Sequence, residues 1–158
     1  MAGIVGAVVL AMGAAVAAVV VRGTVAADRG AGSAIAAADG WVVALSYGNP
    51  PPGGYLCPDQ FDALRRQAAE LRKTIERHGR GNAVKVGSRD WREQVTGDRA
   101  EVTAEVYLMF SAPGDPLTMV GSAHRWTFRT ERYGGLRAGW KLCQADVPEL
   151  CGTHLRCD

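Results

Sequence analysis

The chain has 158 residues, with 18 basic and 16 acidic side chains, and therefore a formal net charge of +2. This length predicts one folded domain, because domains usually contain roughly 100–200 residues. The near-neutral charge argues against a nucleic-acid binder that works through a large basic surface. Apolar residues make up 47% of the chain and charged residues 22%, values that are typical of folded proteins and exclude wholesale disorder.

An uninterrupted apolar run, AGIVGAVVLAMGAAVAAVVV, occupies residues 2–21. Twenty helical residues span about 30 Å, which is the thickness of the hydrocarbon core of a bilayer. The run is longer than the apolar region of a cleaved signal peptide, which has about 7–15 residues. We therefore expect residues 1–22 to be a transmembrane signal anchor. The alternative is a secreted protein that is cleaved near Ala27, where small residues precede the cut.

The four cysteines all lie beyond this run, at Cys57, Cys143, Cys151 and Cys157. An even number in the soluble part favours two disulfides and a domain outside the cytoplasm. Three pairings are possible, and we favour Cys57–Cys143 together with Cys151–Cys157. Arg22 and Arg29 follow the run and favour the opposite orientation, but two arginines are a weak topological signal.

Zinc is the alternative use of the late cysteines. Its ligands would be Cys143, Cys151, His154 and Cys157, with the spacing C-x7-C-x2-H-x2-C. Common zinc sites open with C-x2–4-C, which this spacing lacks. We therefore prefer the disulfide interpretation and predict no metal ion and no cofactor.

Two helices are predicted after a linker of small and polar residues at 23–33. The first covers residues 34–47 and contains Trp41; a proline- and glycine-rich stretch must end it. The second has Pro58 at its first position and ends before Gly79.

Alternating apolar and polar residues then predict four strands separated by turns. They cover approximately 83–95, 101–110, 120–128 and 140–144. The predicted fold class is α+β, with two helices packed on a curved four-stranded antiparallel sheet over residues 34–146. Residues 147–158 are expected to form a C-terminal tail closed by the small disulfide.

Two short motifs suggest a family. Leu56-Cys57-Pro58 opens the second helix, and Trp140-Lys141-Leu142-Cys143 forms the last strand. With fifteen arginines against three lysines, the chain resembles small membrane-anchored or secreted actinobacterial proteins of unknown function with a cystatin-like, nuclear-transport-factor-2-like domain. The resemblance covers residues 33–145 and implies a curved sheet packed against helices, which could enclose a cone-shaped pocket. This fold hosts enzymes, ligand binders and interaction modules, so it does not choose a function.

A pocket between sheet and helices would be lined by His124, Trp126 and Phe128, which share one strand face, and by Trp41. His124 as a general base is one interpretation. We favour a structural histidine, because the sequence offers no second catalytic group. Asp90 and Tyr107 resemble the base and oxyanion donor of steroid isomerases with this fold, but their local sequence favours structural roles.

The sequence therefore predicts a non-catalytic single-pass protein of the cell membrane that presents an extracytoplasmic interaction domain, as an accessory to an envelope or secretion assembly. Its partners would be the membrane and other envelope proteins, and not nucleic acid. One alternative is a secreted binder of a small apolar ligand in the sheet–helix cavity. Another is an isomerase-like enzyme, which needs an ionisable pair at the floor of the pocket.

Overall fold

Four antiparallel strands form one sheet in the order β1-β2-β3-β4. The computed structural model describes residues 29–78, 83–111, 118–155 and 157. Two helices, α1 (Ala34–Tyr47) and α2 (Phe61–His78), precede the sheet, and both contact it. The strands are β1 (Ala83–Thr96), β2 (Arg99–Ser111), β3 (Thr118–Tyr133) and β4 (Gly139–Asp146). The predicted α+β class, with two helices and a four-stranded antiparallel sheet, is confirmed.

The predicted membrane anchor, residues 1–22, and residues 23–28 of the linker lie outside the described residues. Within the part of the chain that the structure describes, no helix combines the length and the apolar character needed to cross a bilayer. The first described contacts are those of Gly30 and Ala31, which hydrogen-bond to the start of β4.

Helix α1 has the bounds that its flanking residues predict. The Ser33 hydroxyl accepts a hydrogen bond from the Ala36 backbone N–H at 3.1 Å, so it caps one of the free amides of the first turn. Gly48 ends the helix in the left-handed conformation, with φ 68°. The prolines that follow cannot continue a helix.

Helix α2 begins at Phe61 and not at Pro58, because the preceding segment is held by the sheet. The Cys57 N–H donates to the Leu142 carbonyl at 2.8 Å, which fixes this point of the chain on the outer edge of β4. The Gln60 N–H then donates to the Cys57 carbonyl in a turn. The helical ladder starts only after this turn, with the Leu64 N–H donating to the Gln60 carbonyl.

Three aromatic side chains fill the space between the helices and the sheet. Trp41 of α1 contacts Trp126 and Phe128 of β3 edge-on, with ring centroids 6.4 and 6.3 Å apart, and all three side chains are completely buried. The Trp41 indole N–H donates to the Leu64 carbonyl at 3.2 Å, which links α1 to α2. The indole nitrogen thus keeps a partner inside the core, as a buried polar group requires.

Each of the three strand pairings contains an irregularity of register. These lie at Arg89/Arg92, Val106/Leu108 and Arg129/Thr130. A bulge bends its strand and increases the local twist. The first bulge contains Asp90, whose φ of 54° is the one positive φ of a non-glycine residue in the described ranges.

Segments from elsewhere in the chain cover the outer edge of β4. Ala31 pairs with Trp140, and Leu56 pairs with Leu142 in parallel orientation. The buried Lys141 ammonium donates to the Gly54 carbonyl at 2.6 Å, so a charged side chain also fixes the covering segment. Covering the edge in this way removes a site for pairing with other chains.

Gly139 is required where the first described segment crosses β4. Its φ is 122°, and a Cβ there would lie 2.6 Å from the carbonyl carbon of Gly30. We expect Gly139→Ala to lower the free energy of unfolding by about 2–3 kcal/mol, through backbone strain and steric conflict. Urea denaturation of the full-length protein in detergent measures this loss.

Gly134→Ala is the matched control, because a Cβ at Gly134 meets nothing within 4 Å and its φ is −106°. We expect its unfolding free energy to stay within about 0.5 kcal/mol of the wild-type value. Equal losses in the two variants would show that the close approach of Gly30 and Gly139 is unimportant.

Candidate functional site

The four cysteines form two disulfides, Cys57–Cys143 and Cys151–Cys157, as predicted. Cys57 is completely buried, and its bridge spans 86 residues of sequence, whereas the second bridge closes a separation of only six. The zinc set that combined Cys143 with His154 does not form, because Cys143 is bonded to Cys57. Disulfides persist in oxidising compartments, so the pairings indicate an environment outside the cytoplasm.

His124 lies at the end of the aromatic core, where the C-terminal tail meets β3. It is half-buried, and its ring centroid is 4.6 Å from that of His154, in an edge-on arrangement. Three of the residues predicted to line a pocket with His124 occupy the interior and contact one another: Trp41, Trp126 and Phe128. These three rings pack as core side chains.

His154 is the polar residue at the centre of this cluster, although its sequence context suggested only a metal ligand. It is 4% exposed, and its Nε2 accepts a hydrogen bond from the Trp126 indole N–H at 3.1 Å. The acceptor role of Nε2 places the ring proton on Nδ1, which has no hydrogen-bond partner among the described residues. Burial, with a smaller contribution from the charge of His124, lowers the pKa of His154 to about 4.

The tail is therefore part of the folded core. Leu150 and Leu155 are buried with His154, and backbone hydrogen bonds from His154 and Leu155 to the Leu150 carbonyl close a tight turn. The sequence signal for this burial was the pair of leucines on either side of the histidine. A neutral imidazole held by an indole attaches this turn to β3.

This attachment predicts a specific loss of stability in acid. The pKa of His154 is about 4 in the folded protein, against about 6.5 in an unfolded chain, so the unfolded state takes up the proton first as the pH falls. The stabilisation is complete above about pH 6.5 and is lost progressively towards pH 4. Acidification from pH 7 to pH 4.5 should lower the free energy of unfolding by about 2 kcal/mol through His154 alone.

The comparison is between the wild-type protein and His154→Leu, each unfolded with urea at both pH values. The variant is expected to be less stable at pH 7, because the Trp126 indole N–H loses its acceptor. The free energy of unfolding of this variant should also decrease less between pH 7 and pH 4.5 than that of the wild-type protein. An equal decrease in both proteins would contradict the assignment of a buried neutral imidazole.

The face of the sheet that points away from the helices carries opposite charges on neighbouring strands. Arg99 of β2 stands opposite Glu131 of β3, with Nε and Oε1 3.1 Å apart, and Glu101 stands opposite Arg129. Further along, Glu105 lies between Arg89 of β1 and Arg125 of β3. Opposite charges in directly paired positions stabilise a sheet modestly, by about 0.2–1 kcal/mol per pair.

An open groove of about 570 Å³ lies on this face, beside the Cys57–Cys143 disulfide. Cys143 and Gln144 of β4 form one side, and Gln60 from the turn before α2 also contributes. The Gln144 amide oxygen accepts a hydrogen bond from Arg129 at 3.3 Å. The charged lining residues are two arginines and three acids: Arg99, Arg129, Asp59, Glu101 and Glu131. This composition suits a polar or charged binding partner more than an apolar ligand.

Asp90 and Tyr107, the isomerase-like pair, occupy the far end of the sheet. Asp90 is exposed, and its carboxylate is 3.7 Å from the Arg89 guanidinium. Tyr107 packs over Gly87, where a Cβ would lie 2.4 Å from its ring, and the Arg89 guanidinium lies 5.8 Å from the ring centroid. Each residue thus has a local structural partner on β1.

Comparison of the sequence with protein-family models gives no match, and comparison with curated proteins gives none either.

Proposed function

We propose that the chain is a non-catalytic, single-pass membrane protein that presents its disulfide-bonded α+β domain outside the cytoplasm and binds another envelope protein through the groove beside Cys57–Cys143. The main observation behind this proposal is the difference between the two faces of the sheet. The helix side of the sheet is filled by core aromatic rings, whereas the opposite face is solvated and carries an open groove. A partner must therefore bind from outside.

The location rests on two features of the chain. All four cysteines are paired in disulfides, which is typical of secreted and envelope proteins. The apolar run of residues 2–21 has the length of a membrane span. An anchor of this kind keeps a domain at high effective concentration near other membrane proteins, which suits an interaction module. The resemblance to anchored actinobacterial proteins with a cystatin-like domain supports the same interpretation.

The chemistry of the partner follows from the groove. The arginines of the groove stand opposite carboxylates on the neighbouring strand. The groove therefore presents alternating positive and negative charges and not a surface of one sign. Such a pattern selects partners by the complementary arrangement of charges, and a misplaced like charge costs several kcal/mol. We therefore expect a polar protein surface with both acidic and basic side chains.

A photo-crosslinking residue at position 101 of the full-length protein, expressed in its own host, tests this proposal. Glu101 lies in the groove and is exposed, so we expect a discrete protein adduct from this position. The same residue at position 70, exposed on α2, should give no such adduct. Membrane fractionation of the adduct reports whether the anchor is retained.

Charge reversal then distinguishes specific binding from chance contact. In the protein with the crosslinking residue at position 101, Arg129→Glu replaces a groove arginine with a carboxylate that joins Glu131 and Asp59, and should lower the adduct yield about tenfold. Arg66→Glu, on the exposed face of α2, is the matched control and should leave the yield unchanged. Equal adducts from positions 101 and 70, or insensitivity to Arg129→Glu, would contradict binding through the groove. Recovery of a soluble, shortened protein would favour secretion over anchoring.

A further inference from the structure

The Cys151–Cys157 disulfide lies against the C-terminal end of α2. A ring nitrogen of His78, in the last turn of that helix, and the two sulfur atoms all lie within 4.8 Å of one another. None of the three side chains is fully buried, so solvent and small solutes reach them. In the sequence, His78 precedes the glycine that ends a predicted helix, and nothing there relates it to the tail.

We propose that this group is a redox-controlled zinc site, closed as a disulfide and able to bind Zn²⁺ once a dithiol has reduced the bridge. Two thiolates and one imidazole are ligands that Zn²⁺ prefers, and three protein ligands leave a fourth position for water or a further donor. The site is separate from the groove on the open face of the sheet and does not depend on it.

The chemistry balances with a dithiol as the reductant. One thiolate of the dithiol attacks a sulfur of the bridge, and the resulting mixed disulfide is resolved by the second thiol. The dithiol leaves as a disulfide, two electrons pass to the protein, and Cys151 and Cys157 become thiols. Binding of Zn²⁺ then releases the two thiol protons, while His78 contributes a nitrogen lone pair.

The movement that the metal requires is small. Two thiolates at about 2.3 Å from a tetrahedral Zn²⁺ lie about 3.7 Å apart, so the sulfur atoms must separate by less than about 2 Å from the length of a disulfide bond. A ring nitrogen of His78 already lies within 4.8 Å of both sulfur atoms. Side-chain rotation at the cysteines supplies movement of this size.

The two bridges differ in their access to a reductant. One sulfur of the long bridge, that of Cys57, is completely buried and Cys143 is half-buried, whereas neither Cys151 nor Cys157 is fully buried. Thiol exchange requires access to a sulfur atom, so the small bridge is expected to be reduced first. The Cys57–Cys143 bridge then keeps the domain folded while the small bridge opens.

The turn that carries the small bridge has other attachments. The His154 imidazole remains hydrogen-bonded to the Trp126 indole, and the His154 N–H donates to the Leu150 carbonyl at 2.9 Å. Leu150 and Leu155 are buried in the core. Opening the disulfide therefore leaves Cys151 beside His78, as the zinc site needs.

The experiment uses the full-length protein in detergent, treated with a graded concentration of dithiothreitol and then freed of it without air. Alkylation and peptide mass should show Cys151 and Cys157 free while Cys57 and Cys143 remain bridged. Titration with Zn²⁺ against a chromophoric chelator should then give one bound ion per reduced chain and none per oxidised chain. Co²⁺ as a second probe should give thiolate charge-transfer absorption.

Variants identify the ligands. His78→Ala should weaken Zn²⁺ binding at least ~10-fold, because loss even of groups that only support a ligand has an effect of this size. Cys151→Ser/Cys157→Ser should abolish binding. His124→Gln is the matched histidine control and should leave the affinity unchanged. Circular dichroism checks that every variant is folded.

The proposal is overturned by three results. These are the simultaneous reduction of both bridges, the absence of zinc binding by the selectively reduced protein, and equal affinities in wild type and His78→Ala. Loss of affinity in His124→Gln in place of His78→Ala would also overturn it, since the metal would then lie at another site.

Discussion

The Cys57–Cys143 disulfide is the constraint on which the arrangement of the domain depends. It joins the segment before α2 to the last strand, across 86 residues of sequence. Two hydrogen bonds reinforce it, from the Cys57 N–H to the Leu142 carbonyl and from the Lys141 ammonium to the Gly54 carbonyl. Together they determine where α2 begins. The helix then reaches β4 again through Gln67, whose amide donates to the Ala145 carbonyl at 2.9 Å.

The Cys57–Cys143 disulfide also determines the shape of the candidate binding surface. Asp59 and Gln60 lie two and three residues after Cys57, and Gln144 follows Cys143 directly, so the bridge brings two distant segments to the wall of the groove. The fold and the candidate binding surface thus depend on the same covalent link. The second disulfide has a different character, because it is accessible, closes a short loop and lies beside a histidine.

Local signals in the sequence were sufficient for most of the secondary structure and for the cysteine pairing. Ser33 and Gly48 mark the ends of α1, and both act there as caps. The start of α2 was misplaced by three residues, because a hydrogen bond to β4 and not local propensity determines it. Strand β3 extends beyond its predicted end to Tyr133, since pairing with Gly139 and with Arg99 supports the additional residues.

The candidate sites could not be predicted from the sequence in the same way. The groove depends on which charges face one another, and the bulges in each pairing set that register. The burial of His154 depends on Trp126, which is 28 residues earlier in the chain. Likewise, His78 and the small disulfide meet only because α2 and the C-terminal turn pack together. No periodicity or spacing encodes contacts of this kind.

Comparison of the two disulfides by urea unfolding tests the central claim most directly. Loop-closure entropy predicts that Cys57→Ala/Cys143→Ala lowers the free energy of unfolding by about 4–5 kcal/mol, and that Cys151→Ala/Cys157→Ala lowers it by about 2 kcal/mol. The full-length protein in detergent serves for both. A loss from the first pair that is equal to or smaller than the loss from the second would contradict the account, because the long bridge would then not be the constraint that holds the domain together.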